Sequence, residues 1–423
     1  MNVIEELLRP IPIPKMAPVR QHFAVTRVVD AGAEVQNAVL KEGLLERIQP
    51  GSNIAIGVGS RGIANLPELV KATVDLVKAR GANPFLVPAM GSHGGATAEG
   101  QRAMLNHLGV REDTVGAPIH ATMEVVQMGM SAHGLPLFVD RNAAAADGII
   151  VINRIKPHTS FRGPVESGLL KMLVIGLGKQ RGADAAHARG FASMADHILD
   201  LSQAVLDRLP VLFGVAVIEN AYDETAKVAA VASERMHELE PQLLNEARLR
   251  MPRISLNDLH VLVVDEIGKN ISGVGMDPNV TGRYPNDLVK GDLRVNRIVV
   301  LSLTETTDGN AAGLGLADVT TARAESQIDR VKGYMNALTS TSMSSPKLPI
   351  VMPTDKQAIQ AAVKTCLEPN FGAVRMIRIV NTLKLDEIWV SESLLSEAQA
   401  HPDMEVLGPA EAMAFDATGR LIR

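Results

Sequence analysis

The sequence runs to 423 residues, enough for two domains with a core each, and its 42 Lys and Arg against 47 Asp and Glu leave a formal net charge of -5. That balance disfavours a nucleic-acid partner, which needs a strongly basic face, yet leaves room for a local cationic pocket that takes a small anion. The single cysteine, Cys366, excludes an intrachain disulfide, and the apolar runs fall short of the roughly 20 residues that cross a bilayer. The first residues lack the basic stretch and long apolar core of a secretory signal, so a cytoplasmic chain with no membrane partner is expected.

After a proline-rich arm, Asn53 to Val58 predicts a short strand, Gly59-Ser60-Arg61-Gly62 a turn, and Pro67 to Arg80 an amphipathic helix. The next unit repeats the plan, with a strand at Phe85 to Pro88, a glycine-rich turn at Met90 to Gly95 and a helix at Ala98 to Leu108. This alternation predicts an α/β fold with largely parallel or mixed sheets, in which ligand groups collect on loops beyond the carboxyl ends of strands. The strand-like run Gly148 to Asn153 feeds Arg154, Ile155, Lys156, Pro157, His158 and Thr159. Leu169 to Ile175, broken only by Lys171, reads as a buried strand or core segment. Phe191 to Arg208 predicts a helix, Val211 to Ile218 a buried strand, and Thr225 to Arg250 a Glu- and Arg-rich surface helix or connection. A second α/β unit begins near Leu259, with strands at Val261 to Val264, Arg297 to Leu303, Pro349 to Val351 and Val374 to Val380. Its glycine-rich loops, Asp265 to Arg283 and Thr304 to Asp318, are expected to frame an interdomain active-site cleft. The expected division is therefore residues 1–255 and 256–400, with the tail 401–423 a candidate to rejoin the first domain.

Three histidines stand in loops of this kind. The segment GSHGG places His93 on a glycine-rich turn, where an imidazole exchanges a proton near neutral pH. Ser60 and Arg61 occupy the analogous turn one unit earlier, and Arg61 suits a forked contact to carboxylate or phosphate. The densest cluster, KPHTSFRGPVESGLLKMLVIGLGKQRGADAAH from Lys156 to His187, brings His158, His187 and several cations into 32 residues. An anionic ligand and proton transfer follow from it together. Gly176, Gly178 and Lys179 do not have the spacing of a phosphate-binding loop, and the dinucleotide fingerprint and the H-E-x-x-H zinc motif are both missing. Kinase, ordinary dehydrogenase and zincin readings are disfavoured accordingly. In the second unit, Asp265, Lys269, Asp277, Asn279 and Arg283 share one loop and Asp308 and Asn310 another, suited to loop organisation or substrate selection.

At these residues the chain resembles the lactate racemase family, the enzymes that employ the nickel-pincer nucleotide. His93 in AMGSHGGAT and His158 in NRIKPHTSF match the family's two catalytic histidines. Lys171 in SGLLKM matches the lysine joined covalently to the cofactor, and His187, 16 residues further on, matches the nickel-binding histidine. Arg61 matches an anion-contacting arginine; Arg61, Lys156 and Lys269 are the candidates for holding cofactor phosphate or substrate carboxylate. The chain departs from the family pattern in lacking the aspartate before Arg61, in having fewer glycines before Lys171, and in Gly94-Gly95 after the first histidine. Those departures point to a divergent member acting on a 2-hydroxy acid larger than lactate or differently charged.

The resemblance implies a chemistry that the groups themselves support. Direct removal of the α-proton of a 2-hydroxy acid is hard, because the adjacent carboxylate disfavours a carbanion. An organic hydride acceptor avoids it: one histidine takes the hydroxyl proton as hydride leaves carbon, and hydride returns to the other face of the flat 2-keto acid. The resemblance thus implies a racemase or epimerase that binds a small anionic 2-hydroxy acid and depends on cofactor maturation proteins. The alternatives are a small-acid or nucleotide-binding protein without turnover and a different enzyme on the same scaffold.

Overall fold

The computed structural model describes residues 3–60 and 62–422, the side chain of Thr339 excepted. They form two units, one running from Ala24 to Met251 and the other combining residues from Pro252 onward with the N-terminal segment through Phe23.

In the Ala24–Met251 unit, five strands lie in the spatial order Asn83–Pro88, Asn53–Val58, Gly148–Arg154, Val211–Glu219 and Thr225–Ala232. The first four run parallel and the last returns antiparallel. Alternation along the strands decides which helices cover which face. Ile54, Ile56, Val58, Ile150 and Ile152 share a core with Val35 and Val39 of helix Ala31–Lys41 and with Leu69, Val70 and Val77 of helix Leu66–Ala79. Ala55, Val87, Ile149 and Val151 share the other core with Leu169 and Leu170, with Ile198 and Leu201 of helix Met194–Arg208, and with Leu243 and Leu244 of helix Met236–Arg250. A sheet covered on both faces needs near-continuous apolar strands, and these have them.

Two expectations for this unit are corrected. Of the two readings of Leu169 to Ile175 the core segment holds and the strand does not: Leu169–Lys171 is a helical turn that widens through Met172–Gly176, where the Leu177 amide reaches back to the Met172 carbonyl at 2.9 Å. A run buried on every side carries no period that distinguishes strand from helix. Thr225–Ala232 is a strand paired to Val211–Glu219, and the helix begins only at Met236. The sequence also gave no warning of the hairpin Val125–Met130 with Pro136–Asp140.

The other unit holds an eight-stranded mixed sheet, ordered Ile350–Met352, Val319–Thr321, Val295–Leu303, Leu259–Ile267, Met376–Ile379, Glu387–Ser391, Met16–Gln21, Met404–Val406. Its first five strands are parallel and its last three antiparallel to their neighbours. Where the sequence suggested that the N-terminal arm and perhaps the tail belong with residues 24–255, both lie here. Met16–Gln21 is hydrogen-bonded between Glu387–Ser391 and the tail strand Met404–Val406, and Leu8, Ile11, Met16 and Leu421 enter the same core as Val261 and Ile359. Among the described residues, no helix is long and apolar enough to cross a membrane.

Candidate active site

The parallel strands Asn83–Pro88, Asn53–Val58 and Gly148–Arg154 are neighbours, and the loops that leave their carboxyl ends carry His93, Ser60 and His158 in that order. Strand spacing of about 4.8 Å puts the two outer strands roughly 10 Å apart, room for a small molecule between the loops. Arg61 falls outside the described residues.

His93 sits in the turn after Asn83–Pro88, its Nδ1 hydrogen-bonded to Ser60 Oγ across the strand boundary. The turn needs glycine at position 94: φ is +67°, and a Cβ there would lie 2.7 Å from the Gln101 backbone nitrogen. Gln101, buried on helix Ala98–His107, donates from Nε2 to the carbonyls of Gly91 at 2.9 Å and His93 at 3.3 Å. Its Oε1 accepts from Lys179 Nζ at 2.9 Å, and Lys179 also donates to the Pro88 carbonyl. Lys179 is fully buried and makes an ion contact of 3.1 Å with the equally buried Asp140. Burial pushes the Lys179 ammonium down and the Asp140 carboxyl up from their ordinary values, against the attraction each exerts on the other. The His93 turn is therefore fastened from beneath by a buried polar chain that sequence reading missed.

The His158 loop is closed by a two-way backbone bridge between Lys156 and Ser167, at 2.9 and 3.2 Å. At its centre lies the fully buried Glu166. Its carboxylate accepts from the His158 amide at 2.5 Å, the Gly163 amide at 3.3 Å, Arg162 at 3.2 Å and Arg248 at 2.6 Å. The His158 ring lies 4.3 Å from that of Phe161 and 6.2 Å from that of Phe191, and its Nδ1 accepts the Ser160 amide at 3.1 Å. Neither Glu166 nor this aromatic wall was legible in the sequence, because the partners gather only when the loop folds back.

Lys171 and His187 come together from the next two elements. The helical turn Leu169–Lys171 is capped by Glu240 of helix Met236–Arg250, which accepts the Leu170 amide at 2.9 Å. Gly168 makes room for that cap, since a Cβ there would lie 2.3 Å from Glu240 Oε1. Burial pushes the Glu240 carboxyl up to about 7, although the two backbone amides it accepts pull the other way. His187 closes helix Lys179–His187, and its ring lies edge-on to Phe191 at 5.7 Å. Its Nδ1 is 2.7 Å from the Ala183 carbonyl, which can only accept, so the ring proton is on Nδ1 and the lone pair on Nε2. Burial holds the His187 pKa below its ordinary value; the bond to Ala183 opposes this, and the nearby Lys171 ammonium lowers it further. A neutral imidazole with Nδ1–H on a backbone carbonyl is the usual state of a histidine that ligates a metal through Nε2. Among the described residues, no group of three or more His, Cys, Asp and Glu could hold a metal ion by itself. One histidine beside one lysine does fit a cofactor that brings the other metal donors with it.

Lys156 lies in the field of Asp223, whose carboxyl is raised first by burial and then by Glu219, with Arg154 and Lys156 opposing. Lys269 belongs to the other unit, where its Nζ donates to the Gly273 carbonyl at 2.7 Å. Most of the polar loop residues around it organise their own unit. Asp265 pairs with Arg378 at 2.9 and 2.7 Å, Asp277 caps the turn Pro278–Thr281, and Arg283 pairs with Asp318. Two open depressions of about 410 and 450 Å³ are lined by residues such as Arg27, Asn65, Asp223 and Lys227, and not by His93, His158 or Lys171.

Residues 21–197 match the model of the lactate racemase N-terminal domain. That span of the chain is therefore similar to the N-terminal domain of lactate racemases. The matched span contains His93, His158, Lys171 and His187 and stops short of Glu240 and Lys269. Among solved structures, the lactate racemase apoprotein from Thermoanaerobacterium thermosaccharolyticum is similar in fold, with a TM-score of 0.51 at 12% identity over 86% of this chain and 94% of that one. A crystal structure of a protein from Thermotoga maritima matches 62% of this chain and 69% of its own length at 16% identity, with a TM-score of 0.46. No curated protein compared with the chain matches it. The chain thus combines a mixed α/β architecture with a segment that matches the lactate racemase N-terminal domain.

Proposed function

We propose that this protein is a racemase or epimerase of a small 2-hydroxy carboxylic acid, working in the cytoplasm with the nickel-pincer nucleotide joined to Lys171. The observation that carries the reading is the state of His187, whose Nδ1 is engaged by the Ala183 carbonyl and whose Nε2 keeps its lone pair, in the field of the Lys171 ammonium. His187 would ligate the nickel, and Lys171, its amine consumed in the linkage, would no longer act as a cation. When bound, the cofactor supplies a reversible acceptor for the hydride on the substrate's α-carbon.

The chain's own residues then have two tasks. His93 and His158 handle the hydroxyl proton at Nε2, since Nδ1 of each is occupied, by Ser60 and by the Ser160 amide. Lys156, on the loop that bears His158, would hold the carboxylate or the cofactor phosphate, and the apolar wall of Phe161 and Phe191 limits water on the His158 side. Maturation proteins would deliver the cofactor. Intact-mass analysis after co-expression with the cofactor biosynthesis system tests the reading. An adduct on the Lys171 peptide, stoichiometric nickel and racemisation of a chiral 2-hydroxy acid are expected; fully matured protein without adduct or nickel would leave a binding protein or a different enzyme.

A further inference from the structure

The two histidines of the proposed site are held in different ways, and the difference bears on what each can do. A backbone N–H can only donate. Since Ser160 N–H points at His158 Nδ1 at 3.1 Å, the neutral ring must carry its proton on Nε2. His93 Nδ1 faces a hydroxyl, Ser60 Oγ, which either donates or accepts, so that contact does not by itself select a tautomer.

What keeps the Ser160 amide on target is the geometry of the 158–163 turn, and a single carboxylate gathers that turn. Glu166 accepts from the first amide of the turn, at His158, and from the last, at Gly163. Arg162 links the same carboxylate to the carbonyls of His158 at 2.7 Å and Phe161 at 3.2 Å. Arg248, from helix Met236–Arg250, fixes the other carboxylate oxygen at 2.6 Å and lies 3.4 Å from the Gly163 carbonyl. With the Phe161 ring tilted against it at 34° and 4.3 Å between centroids, the imidazole has little freedom to flip. A fully buried carboxylate holding two amides and two guanidinium groups is more than a short surface turn needs for stability.

We propose that Glu166 is a positioning residue that, through the Ser160 amide, locks His158 as the Nε2–H tautomer, making it the hydrogen-bond donor to the substrate oxygen. Proton uptake at His158 Nε2 then requires the ring proton to move first to Nδ1, against the Ser160 amide. The Ser60 contact imposes no such lock on His93. A neutral imidazole held as a donor is an established way to polarise a substrate oxygen. The donor role rests on the racemase reading above, whereas the tautomer does not.

Long-range ¹H–¹⁵N NMR of histidine-labelled full-length protein, without cofactor, reads the tautomer directly, the His158 signals being assigned by their loss in His158→Gln. The expected result is a pyridine-type Nδ1 and a pyrrole-type Nε2. In Glu166→Gln the single pattern should give way to a mixture, and kcat of the cofactor-loaded variant should fall on the order of ten- to a hundredfold with KM little changed. Should that variant fail to fold, Arg248→Gln, at a half-exposed position on the same carboxylate, should show the same loosening in weaker form. A protonated Nδ1 in the wild type, or an unchanged tautomer in a folded Glu166→Gln, would overturn the proposal. Absence of the Lys171 adduct would instead overturn the racemase reading and leave the NMR result standing.

Discussion

His187, the proposed nickel ligand, has its Nδ1 engaged by a carbonyl one helical turn behind it, and the proposed role can be tested apart from catalysis. In cofactor-loaded His187→Ala, nickel measured by mass spectrometry should fall to a small fraction of the wild-type content while the mass adduct on Lys171 persists, because the two attachments are chemically independent. Nickel retained in full would remove the ligand assignment. The cations near the site bear on substrate choice, since a forked or charged donor gains directed hydrogen bonds to a carboxylate that it cannot form with an amide. Across a panel of chiral 2-hydroxy acids and their matched amides, the acids should therefore turn over faster; equal rates would count against an anionic substrate. At this scale His93, His158 and His187 stand out in the sequence by loop context, and Lys171 only through the family resemblance. Glu166, Gln101 and Lys179 do not, because a buried carboxylate, amide or ammonium declares itself only by its partners.

The helical turn Leu169–Lys171 shows how an element is placed by a distant side chain. Glu240 caps it from 70 residues away in sequence, with its carboxyl raised to about 7 from an ordinary 4.5. The folded state thus binds the proton more tightly than the unfolded chain. Its contribution to stability is complete below the unfolded value and is lost as pH rises through about 7, roughly 3 kcal/mol in all. Glu240→Gln keeps a carbonyl for the Leu170 amide and removes the titration, so its stability relative to wild type should improve between pH 5 and pH 8. Denaturant unfolding at the two pH values measures this, and an unchanged difference would show that the cap stays charged in the fold. The chain Lys179–Gln101 beneath the His93 turn makes the complementary case. Lys179→Met leaves buried acceptors at Asp140, Gln101 and Pro88 without their donor and should lower stability by about 3–5 kcal/mol, read from the shift in unfolding midpoint.

At the scale of the whole molecule, the two units are unequal in how the chain builds them. Ala24–Met251 is continuous, carries both faces of its sheet in two cores and contains His93, His158, Lys171 and His187. Residues 24–251 expressed alone should fold cooperatively, as followed by circular dichroism. Residues 252–423 without the N-terminal segment should not, because removing Met16–Gln21 bares the edges of Glu387–Ser391 and Met404–Val406 and takes Leu8, Ile11 and Met16 out of a core. Aggregation or loss of cooperative melting in that fragment, relieved by adding back residues 1–23, is the expected outcome; a stable monomer without them would contradict it.

Local pattern determined what depends on neighbours in the chain. Strand runs such as Asn53–Val58, helices such as Leu66–Ala79 and the glycine-bounded loops bearing His93 and His158 follow from apolar period and turn chemistry within a few residues. Tertiary structure alone decided the matters that join remote segments. Thr225–Ala232 is a strand because Val211–Glu219 offers it an edge, and Leu169–Lys171 is a turn of helix because Glu240 caps it and one buried core receives Leu169 and Leu170. The N-terminal arm belongs to the last unit because its hydrogen bonds are completed there, more than 360 residues along the chain. Hydrogen-bond satisfaction and burial depend on which surfaces meet in space, and neither is written in the spacing of residues along one segment.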